Sequence, residues 1–312
     1  MSKKVYLNHD GGVDDLISLF LLLQMEDVEL VGVGVIPANP YIESALFATE
    51  KIINRFGHGI TVEVAKSNSK GKNPFPKDWH VDVFYVDALP ILNEFDITKP
   101  MIIERPAHLH LVDNLRNSQE KITLIFTGPL SDLARALDEA PDIEEKIEKL
   151  IWMGGTFSDK GNVEETRHNG TAEWNAFWDP DATARVWESS IEIDLVALES
   201  INKVPLTTEI RASWAKNRQD FGIEFLGQCY AIIPKLLRNN ESSTYFLGEV
   251  LTTLTVFDTK LVKRKEVPSI VHIDGPNQGR TETISNGRTV NLIYDVERET
   301  LFDYIVDLAR QE

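Results

Sequence analysis

Val5-Tyr6-Leu7-Asn8-His9-Asp10-Gly11-Gly12-Val13-Asp14-Asp15 leads from a short β-prone run into an acidic turn and then into a helix. The run Lys4 to Leu7 reads as a strand. Asp14 to Met25 follows helical spacing, with apolar residues at Leu16, Ile17, Leu19, Phe20 and Leu23. A strand that turns directly into an apolar helix is the opening unit of an α/β domain. The turn places Asp10, Asp14 and Asp15 within six residues. Asp14 and Asp15 suit the start of a helix, where the macrodipole favours negative charge. That does not account for Asp10, which precedes two glycines able to turn the chain tightly. Carboxylates this close repel one another unless a cation sits among them, and hard oxygen donors suit Ca²⁺ or Mg²⁺. A phosphate cradle is the poorer reading, because no Gly-Lys-Ser/Thr follows and the turn carries no Lys or Arg.

Outward from this turn the alternation continues. Glu29 to Ile36 is a Val-rich run of the kind buried on both faces of a parallel sheet. A helix is expected from Tyr41 to Arg55 and a strand near Ile60 to Ala65, with residues 66 to 80 as a surface loop. Ile122 to Phe126 reads as a strand leading to a helix through Leu137. Lys149 to Met153 and Ile191 to Leu198 supply two more buried strands around a helix from Pro180 to Glu188. Residues 205 to 258 read as mostly helical. Thr281 to Ser285 and Thr289 to Tyr294 flank Asn286-Gly287, which predicts a β-hairpin, and a helix from Arg298 to Arg310 follows. There is no internal repeat and no linker-like stretch. The expectation is one doubly wound α/β domain over residues 1–312, with a mainly parallel central sheet and a C-terminal hairpin and helix.

The composition narrows the partners. Among 312 residues, 32 Lys and Arg face 49 Asp and Glu, for a formal charge of −17. Nucleic acids and anionic membranes recruit clustered cations, so neither is expected as a partner. The lone Cys229 excludes a disulfide framework or a Cys-rich zinc site and fits a reducing compartment. The basic start Met1-Ser2-Lys3-Lys4 meets the polar Asn8-His9-Asp10 too soon for a secretion signal, and Leu16 to Leu23 is too short to span a bilayer. A cytoplasmic protein is expected.

In open α/β sheets, ligands bind at the carboxyl ends of the strands. The loops there carry Asn39 after the second strand, then Thr127-Gly128-Pro129-Leu130 and Met153-Gly154-Gly155. Beyond these come Gly161-Asn162, Glu173-Trp174-Asn175 and Asp179-Pro180. Single loop asparagines are commonly turn residues. Several at successive strand ends, beside carboxylates and without Lys or Arg, suit a neutral polyol such as a sugar.

Taken in order, these segments resemble the nucleoside hydrolase family of the inosine-uridine-preferring type. Val5 to Asp15 resembles its strand, Asp-x-Asp-Pro-Gly-x-Asp-Asp and helix, and the later segments through Asp179-Pro180 keep the family order. Gly279 to Tyr294 also looks similar. The resemblance implies a nucleoside as the small-molecule substrate and Ca²⁺-dependent hydrolysis of its N-glycosidic bond to ribose and free base. It implies a homodimer or homotetramer as well. Carried over, Asp10, Asp15 and the Thr127 carbonyl would bind Ca²⁺, and Asp10 would act as general base on the attacking water. Asp14 and Asn175 would bond ribose hydroxyls, with Asn39, Met153, Asn162 and Glu173 lining the sugar pocket.

The departures are specific. Asn8 stands where the family usually has Asp, and is expected to act behind the ligands rather than among them. Gly11 stands where the family has Pro. At the fourth ligand, Tyr245-Phe246-Leu247-Gly248-Glu249 places Glu249 at the family's Asp, so Glu249 is the expected ligand with one methylene more reach. Gly248 removes a leaving-group acid. In place of the family's His-Gly and Gly-Leu-Gly-Gly segment stands Pro74-Phe75-Pro76-Lys77-Asp78-Trp79-His80. There Trp79 is a candidate to stack on the base and His80 to protonate it; His168 and Trp178 are weaker candidates for the same task. Asn8, Gly248 and Glu249 also motivate an alternative, a catalytically weak or silent relative that binds a nucleoside or ribose. A phosphohydrolase with an Asp nucleophile would need Asp at position 8.

Overall fold

The computed structural model describes residues 2–37, 41–75, 82–233, 244–257 and 260–310. Asn39, Trp79 and His80 lie outside the described residues.

Ten strands form one sheet. In chain order they are β1 (Lys3–His9), β2 (Val28–Val35), β3 (Val64–Lys66), β4 (Ile102–Ile103) and β5 (Ile122–Phe126), then β6 (Ile147–Met153), β7 (Ile193–Val196), β8 (Val262–Val271), β9 (Thr281–Thr283) and β10 (Arg288–Val296). Their order across the sheet is β4-β3-β2-β1-β5-β6-β7-β10-β8-β9. The pairs from β4 to β10 are parallel, and only β8 runs against its neighbours. The chain winds outward from β1 in both directions, so the strand order reverses between β1 and β5. The crevice at the carboxyl ends of those two strands is where such folds bind ligands.

Alternating side chains of β1 supply both cores. Val5 and Leu7 pack among the helices Val13–Leu23 and Ile42–Phe56. Tyr6 packs on the other face with Leu111 and Leu115 of the helix Ala107–Asn117 and Leu133 of the helix Ser131–Glu139. The helix Val13–Leu23 is buried nearly all round, which explains why its sequence is apolar on more than one face. Among the described residues no helix is long and apolar enough to cross a membrane.

Two expectations need correction. The hairpin forms between β8 and β9, and β10 pairs with the other edge of β8, so the strands flanking Asn286-Gly287 do not pair with each other. Residues 66 to 75 are not simply a surface loop, because Ser67, Ser69 and Phe75 are buried. The late helical region is confirmed as the helices Thr208–Lys216, Phe221–Ala231 and Gly248–Leu254.

Candidate active site

The acidic turn closes the carboxyl end of β1. Gly11 has φ +86°, a left-handed conformation that Pro cannot adopt, and a Cβ there would lie 2.4 Å from that of Ala45. The departure from the family at Gly11 is therefore matched by a turn that requires glycine. It delivers Asp10, Asp14 and Asp15 to the switch point, where their relative exposures are only 4%, 1% and 3%. The Thr127 hydroxyl, just beyond β5, donates to Asp15 Oδ1. Burial, and then the charge of the hydrogen-bonded Asp10, pushes the Asp15 carboxyl well above the usual carboxylate range.

Asp14 is held from the far end of the chain. Tyr230 donates its hydroxyl to Oδ1 at 2.7 Å, and the backbone N–H groups of Glu249 and Val250 donate to Oδ2 at 3.0 and 3.2 Å. Asp14 thus caps the helix Gly248–Leu254 from outside it, satisfying amides that the helix itself leaves unpaired. The Glu249 side chain, in the first turn of that helix, is hydrogen-bonded to Asp14 as well. Burial followed by the charges of Asp14 and Asp15 raises the Glu249 carboxyl well above normal. Burial also raises Asp14, against the hydrogen bonds it accepts.

The amide-rich loops meet the carboxylates from the β5 and β6 side. Asn175 Nδ2 donates to the carbonyls of Thr127 at 3.0 Å and Met153 at 3.1 Å, bracing two strand ends. Glu173 caps the helix Trp174–Trp178, accepting from Asn175 N at 2.8 Å and Ala176 N at 3.2 Å, and it also accepts from Gly155 N at 2.9 Å. Burial pushes its carboxyl up to about 7 despite those three donors. Asn162 Oδ1 accepts from Trp174 N at 3.0 Å, which sets the Trp174 ring at the wall.

Between these groups lies a cavity of about 140 Å³. It gathers Asp10, Asp14, Asp15, Met153, Asn162, Glu173, Asn175 and Glu249, each expected from the sequence. Phe75, Trp174 and Tyr245 also line it, and together with Tyr230 behind Asp14 they were not anticipated. Trp174 and Phe75 lie inside segments that drew attention for other residues. Tyr230 carries no such signal, since its partner is 216 positions away. No Lys or Arg among the described residues lines the cavity. A larger cleft of about 550 Å³ lies near the amino ends of β1 and β5, but its mixed charges are away from the switch point.

Two other candidates, His168 and Trp178, are not among the cavity lining. His168 is committed, with Nε2 against Gln278 O at 2.9 Å and Nδ1 accepting from Gly170 N at 3.0 Å. Trp178 is buried against Gly71, in the apolar cluster behind Phe75 and Trp174 rather than in the cavity lining. At Gly248 the space is tight, since a Cβ there would meet Ile201 Cγ2 at 3.0 Å and Met153 Cε at 3.3 Å.

The oxygen donors suit a hard cation. Asp10, Asp15, Glu249 and the Thr127 carbonyl are all oxygen groups, and two of the carboxylates crowd each other out of water. Among the described residues, however, no three carboxylate, imidazole or thiol side chains already surround a common point. The carboxyls are hydrogen-bonded in pairs instead, Asp10 with Asp15 and Asp14 with Glu249.

The doubly wound sheet thus carries buried carboxylates and amides at its switch point, with no Lys or Arg among the described lining. The chain belongs to the inosine-uridine preferring nucleoside hydrolase family, whose profile matches residues 5–303. It is accordingly a hydrolase of N-glycosyl compounds. It is 59% identical to the inosine-uridine preferring nucleoside hydrolase from Bacillus anthracis, with a TM-score of 0.94 over 99% of this chain and 100% of that one. A purine-preferring ribonucleoside hydrolase from Gardnerella vaginalis shares the fold at 22% identity, with a TM-score of 0.81 and 99% of both chains covered. A probable uridine nucleosidase 2 from Arabidopsis thaliana is 25% identical over 285 residues, 91% of this chain and 86% of its own length.

Proposed function

We propose that this chain hydrolyses ribonucleosides to ribose and free base in a Ca²⁺-dependent reaction. The observation that carries the reading is the crowding of buried carboxylates at the switch point beside a cavity without Lys or Arg among its described lining. Asp10, Asp15, the Thr127 carbonyl and Glu249 would hold the ion, which when bound supplies positive charge for acidifying a water and orienting the ribose diol.

Asp10 accepts the proton of the attacking water. Asp14, Asn162, Glu173 and Asn175 meet the sugar hydroxyls, with Met153 beneath and Asn39 completing the sugar end. The transition state at the anomeric carbon has oxocarbenium character, and the acidic side chains favour that cationic sugar over its neutral ground state. Phe75 and Trp174 exclude water from the apolar wall, while Trp79 stacks on the base and His80 protonates it as it leaves. The same reading places a homodimer or homotetramer in the cytoplasm, consistent with a single buried free Cys229.

The test is release of reducing sugar from a panel of ribonucleosides, with and without a chelator and after Ca²⁺ is restored. Release that stops with chelator and returns with Ca²⁺ is expected. Chelator-insensitive release would remove the ion, and no release from any ribonucleoside would remove the substrate class.

A further inference from the structure

Asp132 is a wholly buried carboxylate in the first turn of the helix Ser131–Glu139 and plays no part in the chemistry above. Its Oδ2 accepts from Asn8 Nδ2 at 3.0 Å. Its Oδ1 accepts from the hydroxyls of Ser67 at 2.6 Å and Ser69 at 2.7 Å. Arg135 donates to the same Ser69 hydroxyl at 2.8 Å. Three donors and the positive end of a helix answer the charge, which is what lets a carboxylate sit this deep.

These donors come from separate strand ends that meet at the site. Asn8 is two residues before Asp10 on β1. Ser67 and Ser69 follow β3 on the stretch that leads to Phe75, and the helix of Asp132 begins four residues after Thr127. Asn8 has room for its amide only because Gly34 faces it on β2; a Cβ there would lie 2.5 Å from Asn8 Nδ2. Asp132 can only accept, so position 8 must donate. An aspartate at position 8, as the family signature usually carries, would set two carboxyls against each other, with a hydrogen bond between them only if one takes up a proton.

We propose that Asp132 is a positioning residue for the hydrolysis: through Asn8 it sets the carboxyl end of β1, and with it Asp10, against Thr127 and the Phe75 stretch. It touches no reacting atom. The negative charge of the pair sits on the helix and the donor on the strand. The proposal rests on the reading of Asp10 given above.

The experiment compares the full chain with Asn8→Asp, Asp132→Asn and the double exchange, using uridine and inosine as substrates. Asn8→Asp is expected to lower kcat about 100-fold with KM within about threefold, because a misplacement near 1 Å costs roughly that much in rate. The double exchange, which restores one donor and one acceptor, should return kcat to within about tenfold of the parent, the non-additivity expected of residues in direct contact. A double exchange no faster than Asn8→Asp, or an Asn8→Asp as fast as the parent, overturns the proposal. If Asn8→Asp does not fold by circular dichroism, Ser67→Ala with Ser69→Ala takes its place. A fall in kcat of about tenfold at unchanged KM is then expected, whereas a lower melting temperature with unchanged kcat means a purely structural clamp and overturns it. Asp10→Asn separates the two levels. Full activity in that variant sinks the Asp10 reading itself, while an inactive Asp10→Asn beside a failed exchange sinks only the role of Asp132.

Discussion

Asp10 and Asp15 lie five positions apart and are hydrogen-bonded across a turn, yet the rest of the turn gives them different work. Asp15 is tied to Thr127, while Asp10 carries the Gly12 N–H at 3.4 Å and faces the cavity. Asp10 thus has fewer short hydrogen bonds fixing it than Asp15, although both line the cavity. Asp10→Asn keeps the shape and removes the proposed base, so kcat should fall by about 10²–10⁴-fold, the range general-base catalysis supplies. Steady-state release of base checks this, and a loss under about threefold would mean the proton goes elsewhere. At this scale the sequence was legible wherever partners are local, as in the motif that clusters Asp10, Asp14 and Asp15. It was silent on Asp14 with Tyr230 and on Asn8 with Asp132, because neither residue type nor spacing marks a partner more than a hundred positions away.

Among the elements, the short helix Trp174–Trp178 does most for the site relative to its length. Glu173 caps it and also pins Gly155 after β6, so one side chain sets Asn175 against the Thr127 and Met153 carbonyls. Glu173→Ala removes a cap and leaves three N–H groups without their acceptor. The loss should be about 1–3 kcal/mol in stability, read by denaturant melting, with a fall in kcat as Asn175 drifts. Unchanged stability would mean that water replaces the carboxylate at no cost. Several elements escaped sequence reading, among them β4, the helix Ala107–Asn117 and, with most consequence, β8. Its Lys263-Arg264-Lys265-Glu266 run and Pro268 look unlike a central strand, where proline is rare. β8 is nevertheless flanked on both sides, and its charged side chains stay at the surface or in ion pairs, as Arg264 does with Asp194 and Lys263 with Asp295. Missing β8 is also what made Asn286-Gly287 look like the turn of a simple hairpin.

For the whole molecule, the sheet holds an apolar core on each face and gathers unfavourable charge at one edge. Asp10, Asp14, Asp15 and Glu249 are crowded there at the expense of stability, since burial raises the carboxyls of Asp14, Asp15 and Glu249 and neighbouring negative charge adds to it at Asp15 and Glu249. A cation bound only by the folded chain stabilises it by mass action. At about 100 times its dissociation constant, Ca²⁺ should add about 2.7 kcal/mol. The melting temperature should therefore rise with Ca²⁺ and fall on chelation. A melting curve indifferent to both would argue against the ion independently of any activity.

The sequence by itself determined the alternation of strand and helix, the mainly parallel sheet and the grouping of acids and amides at strand ends. Those follow from periodicity, turn chemistry and short spacing, which act between neighbours in the chain. Only the tertiary structure decided which carboxylate faces which donor. The winding outward from β1 brings β3, β5 and β6 ends and the helix Gly248–Leu254 to one crevice, and burial there turns each unpaired acceptor into a cost that a distant donor must answer.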